Sequence, residues 1–176
     1  RLKFEELFFI QLQLITKNLI RKHKIKGHAF ENVGSYFNTF YQEHLPFELT
    51  NAQKRVLKEI RNDMGKPAQM NRLLQGDVGS GKTMVALMTL LNAVEAGMQG
   101  ALLAPTEILA RQHLATLQRL LTGLPVNVAI LTGREKGKVR EATLMGLADG
   151  SIHILVGTHA IFQEAVQYRN LAAVVI

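Results

Sequence analysis

Short apolar runs alternate with longer amphipathic stretches from about residue 46 onward. The runs at 72–75, 101–104, 126–131, 152–156 and 171–176 have the length and aliphatic composition of buried strands. The stretches at 51–64, 82–96, 106–121 and 138–148 have the length of helices, and Thr50 and Thr106 stand where helix caps are expected. This alternation predicts an α/β fold in which helices flank a parallel sheet.

The first 45 residues follow a different pattern. Residues 1–26 predict a helix whose stripe of Phe8, Ile10, Leu14 and Ile15 we expect to pack on its own protein, with a membrane-surface helix or a nucleic-acid tail as alternatives. The helix ends in a basic cluster at 21–26, and the mixed residues 27–46 predict a connection with one helical turn. We place a boundary near Pro46, between a helical linker segment (1–45) and an α/β domain (46–176).

Composition narrows the class of protein. In 176 residues, 47% hydrophobic and 20% charged positions are typical of one globular domain, and a net charge of +7 favours a polyanionic partner. The absence of cysteine excludes disulfides and thiolate metal sites, and no apolar run is long enough to predict a membrane span, which fits a cytoplasmic protein. The chain begins with Arg1 and ends in an apolar run, so we expect it to be a fragment of a longer protein.

A glycine-rich loop follows the first predicted strand and opens a predicted helix. It matches G-x-x-x-x-G-K-[ST], the pattern in which backbone N–H groups cradle phosphates, a lysine contacts the β- and γ-phosphates, and a hydroxyl binds magnesium. The pattern predicts binding of ATP and Mg²⁺, with Lys82 and Thr83 as catalytic residues and Thr83 as the metal ligand. The predicted nucleotide-binding residues of the loop are Gly76, Asp77, Val78, Gly79, Ser80, Gly81, Lys82 and Thr83.

Further polar segments fall near the loop or at the carboxyl ends of predicted strands, which meet at one rim of a parallel sheet. Upstream of the loop, the ring of Phe47 and the amide of Gln53 could contact adenine. Hydroxyls and helix-start amides at the rim suit a nucleic-acid backbone, although each segment alone is also explained as a helix cap or a turn. The rim residues are Pro105, Thr106, Thr132, Gly133, Thr158 and His159.

Taken in order, these motifs resemble the superfamily 2 helicases. The sequences of residues 70–83 and 157–164 are similar to those of the bacterial RecG family of ATP-dependent DNA helicases. They resemble this family more than they resemble the transcription-repair coupling factor or the primosomal helicase. The resemblance covers nearly the whole chain, including the helix around 1–12.

The resemblance implies a RecA-like motor that uses ATP to move on double-stranded DNA and to remodel stalled forks and Holliday junctions. It implies a monomer whose linker precedes the first motor domain, with the six rim residues facing DNA or coupling DNA to the nucleotide. The family's Asp-Glu motif is expected just after Ile176, and a second motor domain supplies an arginine. Without these groups we expect the chain alone not to turn over ATP.

Two other classes of function remain as alternatives. A phosphate-loop protein without a nucleic-acid role, such as a small-molecule kinase or a transport ATPase, would leave the rim segments unexplained. A non-enzymatic module that binds nucleic acid through its basic surface would leave Lys82 and Thr83 without a purpose.

Overall fold

The computed structural model of the protein describes residues 2–24, 26–30 and 34–176; within the first helix, the side chains of 2, 3, 18 and 21–24 are not described. The basic cluster at 21–26 therefore lies outside the described side chains, apart from Lys26. The helices are α1 (Leu2–Lys24), α2 (Ser35–Thr39), α3 (Asn51–Met64), α4 (Lys82–Glu95), α5 (Glu107–Leu120) and α6 (Gly137–Asp149). The strands are β1 (Gln99–Leu103), β2 (Val128–Leu131), β3 (Ile154–Gly157) and β4 (Leu171–Val175). A π-helical turn covers Phe40–His44 and a 3₁₀ turn His159–Phe162.

The four strands form one parallel sheet in the order β2-β3-β1-β4. Ala101 of β1 lies opposite Leu155 of β3 and Val174 of β4, and Leu155 lies opposite Ala129 of β2. The parallel register brings the carboxyl ends of the strands to one rim, as the alternation of elements predicted. The predicted α/β class with helices flanking a parallel sheet is confirmed.

Helix α4 is the central element of the larger core. Ten of its residues, from Met84 to Val94, are buried, so this helix is apolar on nearly all sides. The two polar members satisfy their hydrogen bonds locally: the Thr89 hydroxyl donates to the Val85 carbonyl (2.8 Å) and the Asn92 amide to the Met88 carbonyl (3.1 Å). The helix leads directly into β1, so its first turn lies at the carboxyl rim of the sheet.

The strand predicted at 72–75 is wrong: the segment is irregular, and Leu73 is 83% exposed. A strand needs a neighbouring strand to complete its hydrogen bonds, and no described strand lies alongside this segment. Arg72 instead contacts α3, where its Nε lies 2.6 Å from Asp63 Oδ2 and its Nη1 2.9 Å from Glu59 Oε2. The apolar run therefore predicted neither the exposure of this segment nor its lack of a partner strand.

The linker carries more helix than the single turn predicted, since α2 runs directly into the π-helical turn. Phe40 is fully buried within the core that contains α3 and α4. The Glu95 carboxylate at the end of α4 accepts hydrogen bonds from the backbone N–H groups of Tyr36 (2.6 Å) and Phe37 (3.2 Å). The described part of the linker from 34 onward is thus packed against the α/β domain.

Helix α1 differs from its prediction in its surroundings. The stripe of Phe8, Ile10, Leu14 and Ile15 is 47–53% exposed, so the expected packing of this stripe on its own chain is not found among the described residues. An apolar stripe is buried only where a complementary surface lies against it. In the described part of the chain, no helix combines the length and hydropathy needed to cross a bilayer.

Candidate nucleotide-binding site

The loop at 76–83 curls at the start of α4. Gly79 and Gly81 adopt φ of 81° and 80°, a left-handed conformation that other residues rarely adopt. Gly81 is the N-cap of α4, and no side chain caps this helix end. The first N–H groups of the helix and its positive dipole end are therefore directed toward the rim, the arrangement that binds anionic oxygens.

Lys82 directs its ammonium group back into the loop. Its Nζ donates to the carbonyls of Gly76 (2.6 Å) and Asp77 (2.7 Å). The loop thus concentrates a full positive charge and the helix N-terminus in one curl, so the residues present fit a triphosphate. Thr83 begins the same helical turn, and no cluster of three acidic or histidine residues in the described chain offers a separate metal site. The predicted role of the Thr83 hydroxyl as a magnesium ligand stays a prediction.

Gln53 connects the loop to α3. Its Nε2 donates to the Ser80 carbonyl (2.9 Å), and its Oε1 accepts from the Thr50 N–H (2.8 Å). The Thr50 hydroxyl accepts in turn from the Gln53 N–H, which completes a capping box at the start of α3. A primary amide has two donors and a carbonyl with two lone pairs, so one N–H and one lone pair stay available to a base. The role of Gln53 toward adenine stays a prediction.

Phe47 lies in the segment just before Thr50, and its ring is 48% exposed. It lines a shallow groove of about 390 Å³ together with Tyr41, Pro46 and Lys54. Gln53 does not line this groove, so Phe47 and Gln53 flank the first turn of α3 rather than share one enclosed cavity. An exposed ring at this place remains suited to stacking on a base.

Pro105 and Thr106 lie between β1 and α5, and both are exposed. The Thr106 hydroxyl accepts from the Leu109 N–H (3.3 Å), so Thr106 caps α5 as expected. The preceding Ala104 donates its N–H to the Gly157 carbonyl (2.7 Å), which fixes this turn beside the end of β3. The two rim segments after β1 and β3 are thus held together by the backbone.

Thr132 and Gly133, which follow β2, have different environments. Thr132 is fully buried, and both its N–H and its hydroxyl donate to Glu135 Oε2 at 2.6 Å. Gly133 and Arg134 are exposed. The Thr132 hydroxyl therefore stabilises this turn, whereas Gly133 and Arg134 lie at the surface.

Two ion pairs join this turn to α5. Arg111 Nη2 lies 2.7 Å from Glu135 Oε1, and Arg134 Nε lies 2.6 Å from Glu107 Oε2. Burial raises the pKa of Glu135, but hydrogen bonds from Thr132 and Arg111 outweigh it, so the pKa lies below its ordinary value. The sequence reasoning missed Glu135, although the T-x-x-E spacing of Thr132 and Glu135 is a capping-box signal that could have indicated it.

Thr158 and His159 follow β3. Thr158 is buried and precedes the 3₁₀ turn, whereas the His159 side chain is exposed. A Cβ on the preceding Gly157 would collide with the Leu131 carbonyl and with Ile161, so only glycine fits between the end of β2 and the turn. Of the six predicted rim residues, Thr132 and Thr158 are buried, and the structure exposes Pro105, Thr106, Gly133 and His159.

Comparison with known proteins finds relatives that align with the whole chain. The chain is 45% identical over 178 aligned residues to the ATP-dependent DNA helicase RecG of Aquifex aeolicus, and 46% identical over 175 residues to RecG of Bacillus subtilis. These alignments cover 100% and 99% of the chain but 22% and 26% of the two relatives. The chain thus spans about a quarter of the length of these relatives, and the similarity to RecG expected from its motifs is confirmed.

Comparisons of structure lead to the same family. A solved structure of RecG bound to a three-way DNA junction matches 97% of the chain and 23% of its own, with a TM-score of 0.86 and 43% identity. A hypothetical ATP-dependent RNA helicase from Sulfolobus tokodaii shares the fold, with a TM-score of 0.54, 18% identity and coverage of 77% of the chain and 38% of its own. The DEAD/DEAH box helicase family matches residues 50–176, and the chain therefore belongs to this family.

Proposed function

We propose that this chain is the nucleotide-binding part of an ATP-dependent DNA helicase that remodels branched DNA, such as stalled forks and Holliday junctions. The observation that carries the proposal is the curl at 76–83, in which the uncapped start of α4 and the Lys82 ammonium converge at the rim of the sheet. The similarity to RecG, one structure of which is bound to a three-way DNA junction, supports branched DNA as the substrate.

Each residue of the site is assigned a role toward phosphate, magnesium, adenine or DNA. Backbone N–H groups of the loop and Lys82 hold the β- and γ-phosphates, and the Thr83 hydroxyl holds magnesium, which supplies charge neutralisation at the transferred phosphoryl group. Gln53 positions the loop through Ser80 and offers its remaining N–H and lone pair to adenine. The exposed rim residues Gly133 and His159 lie where a DNA backbone would reach the sheet.

Nucleotide binding is tested on the chain itself. We expect a fluorescent ATP analogue to bind in the presence of Mg²⁺, and Lys82→Ala to weaken that binding by at least tenfold, because a charge-assisted contact to phosphate is lost. Lys138→Ala removes an equal charge from the exposed start of α6, outside the loop, and should leave the affinity unchanged. Equal affinities of the Lys82→Ala variant and the unmodified chain would contradict the proposal.

Activity is tested in a protein of the relatives' full length that carries this chain. ATP-driven unwinding of a forked DNA should disappear with Lys82→Ala, while binding of the fork persists. Because the 176 residues contain no Asp-Glu pair, phosphate release by this chain alone should stay at background even with branched DNA. Sustained Mg²⁺-dependent turnover by the chain would show that another residue activates the attacking water.

A further inference from the structure

A second groove lies between α3 and the linker. It has a volume of about 650 Å³ and is open to solvent. Its walls come from the linker, from α3 and from Met88 of α4. The phosphate loop contributes no residue to it, although Tyr41 and Lys54 also line the groove of Phe47 described above.

One wall of the groove carries a row of positive charges. Lys54, Lys58 and Arg61 follow one another at spacings of four and three residues, so they lie on one face of α3. All three side chains are exposed, and among the described residues no carboxylate forms an ion pair with any of them. The groove contains no acidic residue, so its field favours a polyanion.

The facing wall is aromatic. Phe37 and Tyr41 are stacked with ring centroids 6.5 Å apart and an interplanar angle of 5°, and Phe30 also lines the groove. Tyr41 remains 40% exposed, so one ring at the mouth of the groove is accessible. Aromatic rings beside a cationic row are the arrangement with which proteins bind single-stranded nucleic acid, since bases stack on the rings and phosphates contact the cations.

From this geometry we infer that the groove between α3 and the linker binds a short single-stranded segment of nucleic acid. The seven helical steps from Lys54 to Arg61 span about 10 Å of helix, which corresponds to about three stacked nucleotides at about 3.4 Å each. In a duplex the bases are paired and stacked on one another, so they are not available to the ring of Tyr41, and an acidic peptide would leave that exposed ring unused. The inference rests on the proposed function only in taking nucleic acid as the substrate.

The charged wall is tested by fluorescence anisotropy of a labelled oligo-dT with the whole chain. Lys58→Gln combined with Arg61→Gln should weaken binding and reduce the slope of log affinity against log salt by about 1.4, since each phosphate contact contributes about 0.7. The matched control combines Arg55→Gln with Arg119→Gln, which removes the same charge from exposed positions outside the groove. Equal slopes for the two double variants, or absence of oligo-dT binding, would overturn the inference.

Substitutions in the aromatic wall distinguish base stacking from a general attraction of anions. Tyr41→Ala should weaken oligo-dT binding about fivefold or more, and Tyr41→Phe should restore it because the ring is retained. The inference is wrong if Tyr41→Ala has no effect on oligo-dT binding, because no base then stacks on this ring. It is also wrong if poly-glutamate displaces the oligonucleotide at equal charge concentration, because the groove is then an acidic-protein surface. Binding of the ATP analogue reports on the phosphate loop independently, so failure of the groove and failure of the proposed function give different results.

Discussion

Gln53 serves two elements through a single amide group, because it completes the cap of α3 and also holds the phosphate loop. Its hydrogen bond to the Ser80 carbonyl fixes the residue next to Gly81, where α4 begins. A cap that involves only α3 should affect stability, whereas a contact with the loop should also affect nucleotide affinity. The two roles can therefore be separated by substitution.

We predict that Thr50→Ala and Gln53→Ala each lower the free energy of unfolding by about 1 kcal/mol, since each breaks the capping box. Only Gln53→Ala should also weaken the binding of an ATP analogue, because Thr50 does not contact the loop. Urea denaturation and an analogue titration on the same preparations measure both effects. The linking role of Gln53 is excluded if the two variants bind the analogue equally well.

Glu135 provides a second test at the scale of one residue. Its side chain is 8% exposed and accepts from Thr132 and Arg111, so Glu135→Ala leaves the buried N–H of Thr132 without its acceptor. We expect a loss of about 2 kcal/mol in the free energy of unfolding. Glu135→Gln keeps an acceptor oxygen and should lose less. Calorimetric unfolding of both variants checks the order, and equal losses would show that the charge on Glu135 matters more than the hydrogen bonds to Thr132.

At the scale of elements, the sequence predicted the helices better than the strand before the loop. The helix at 51–64 matches its prediction because Thr50 and Gln53 mark its start locally. The run at 72–75 carries the same local strand signal as β1 yet forms no strand, because pairing depends on a neighbour that the local pattern does not specify. Likewise, the stripe on α1 predicted a buried face but could not indicate what covers it.

The candidate site, too, was predictable from the sequence only in part. The curl of the loop at 76–83 was predictable because the four defined positions of its pattern, Gly76, Gly81, Lys82 and Thr83, each have a role in phosphate binding, and that binding stays a prediction. The burial of Thr132 and the ion pair between Arg111 and Glu135 were not, since residues 24 positions apart meet only after β2 and α5 have packed. Spacing along the chain therefore located the rim, but folding determined which side chains the rim exposes.

The contact between α2 and α4 gives a prediction for a whole element. The Glu95 carboxylate accepts the first N–H groups of α2 at one end of α4, and the phosphate loop lies at the other end. In Glu95→Ala we expect faster hydrogen exchange at the amides of Tyr36 and Phe37, with exchange in the first turn of α5 unchanged. Glu95→Gln, which keeps an acceptor without charge, should fall between. Unchanged protection of both amides in Glu95→Ala would show that packing of Phe40 alone holds the linker.

At the scale of the whole molecule, two half-buried histidines, His113 and His153, link stability to pH. Burial lowers the pKa of His113 and of His153 below the ordinary value of 6.5. The Nδ1 of His153 also accepts from the Asn127 N–H at 2.9 Å, which requires the neutral ring. The folded state therefore binds fewer protons than the unfolded state as the pH approaches and passes below 6.5.

The sign of the effect follows from these pKa shifts. The stabilising contribution of neutral histidine is complete above pH 6.5 and is lost as the pH falls through the lower pKa of the folded state. We predict that the urea midpoint of the chain decreases between about pH 7.5 and pH 5. His153→Asn offers an acceptor near the Nδ1 position without titrating, so its midpoint should decrease less over this range, with the remaining slope due to His113. A variant whose midpoint follows the unmodified chain at every pH would show that protonation of His153 does not destabilise the fold.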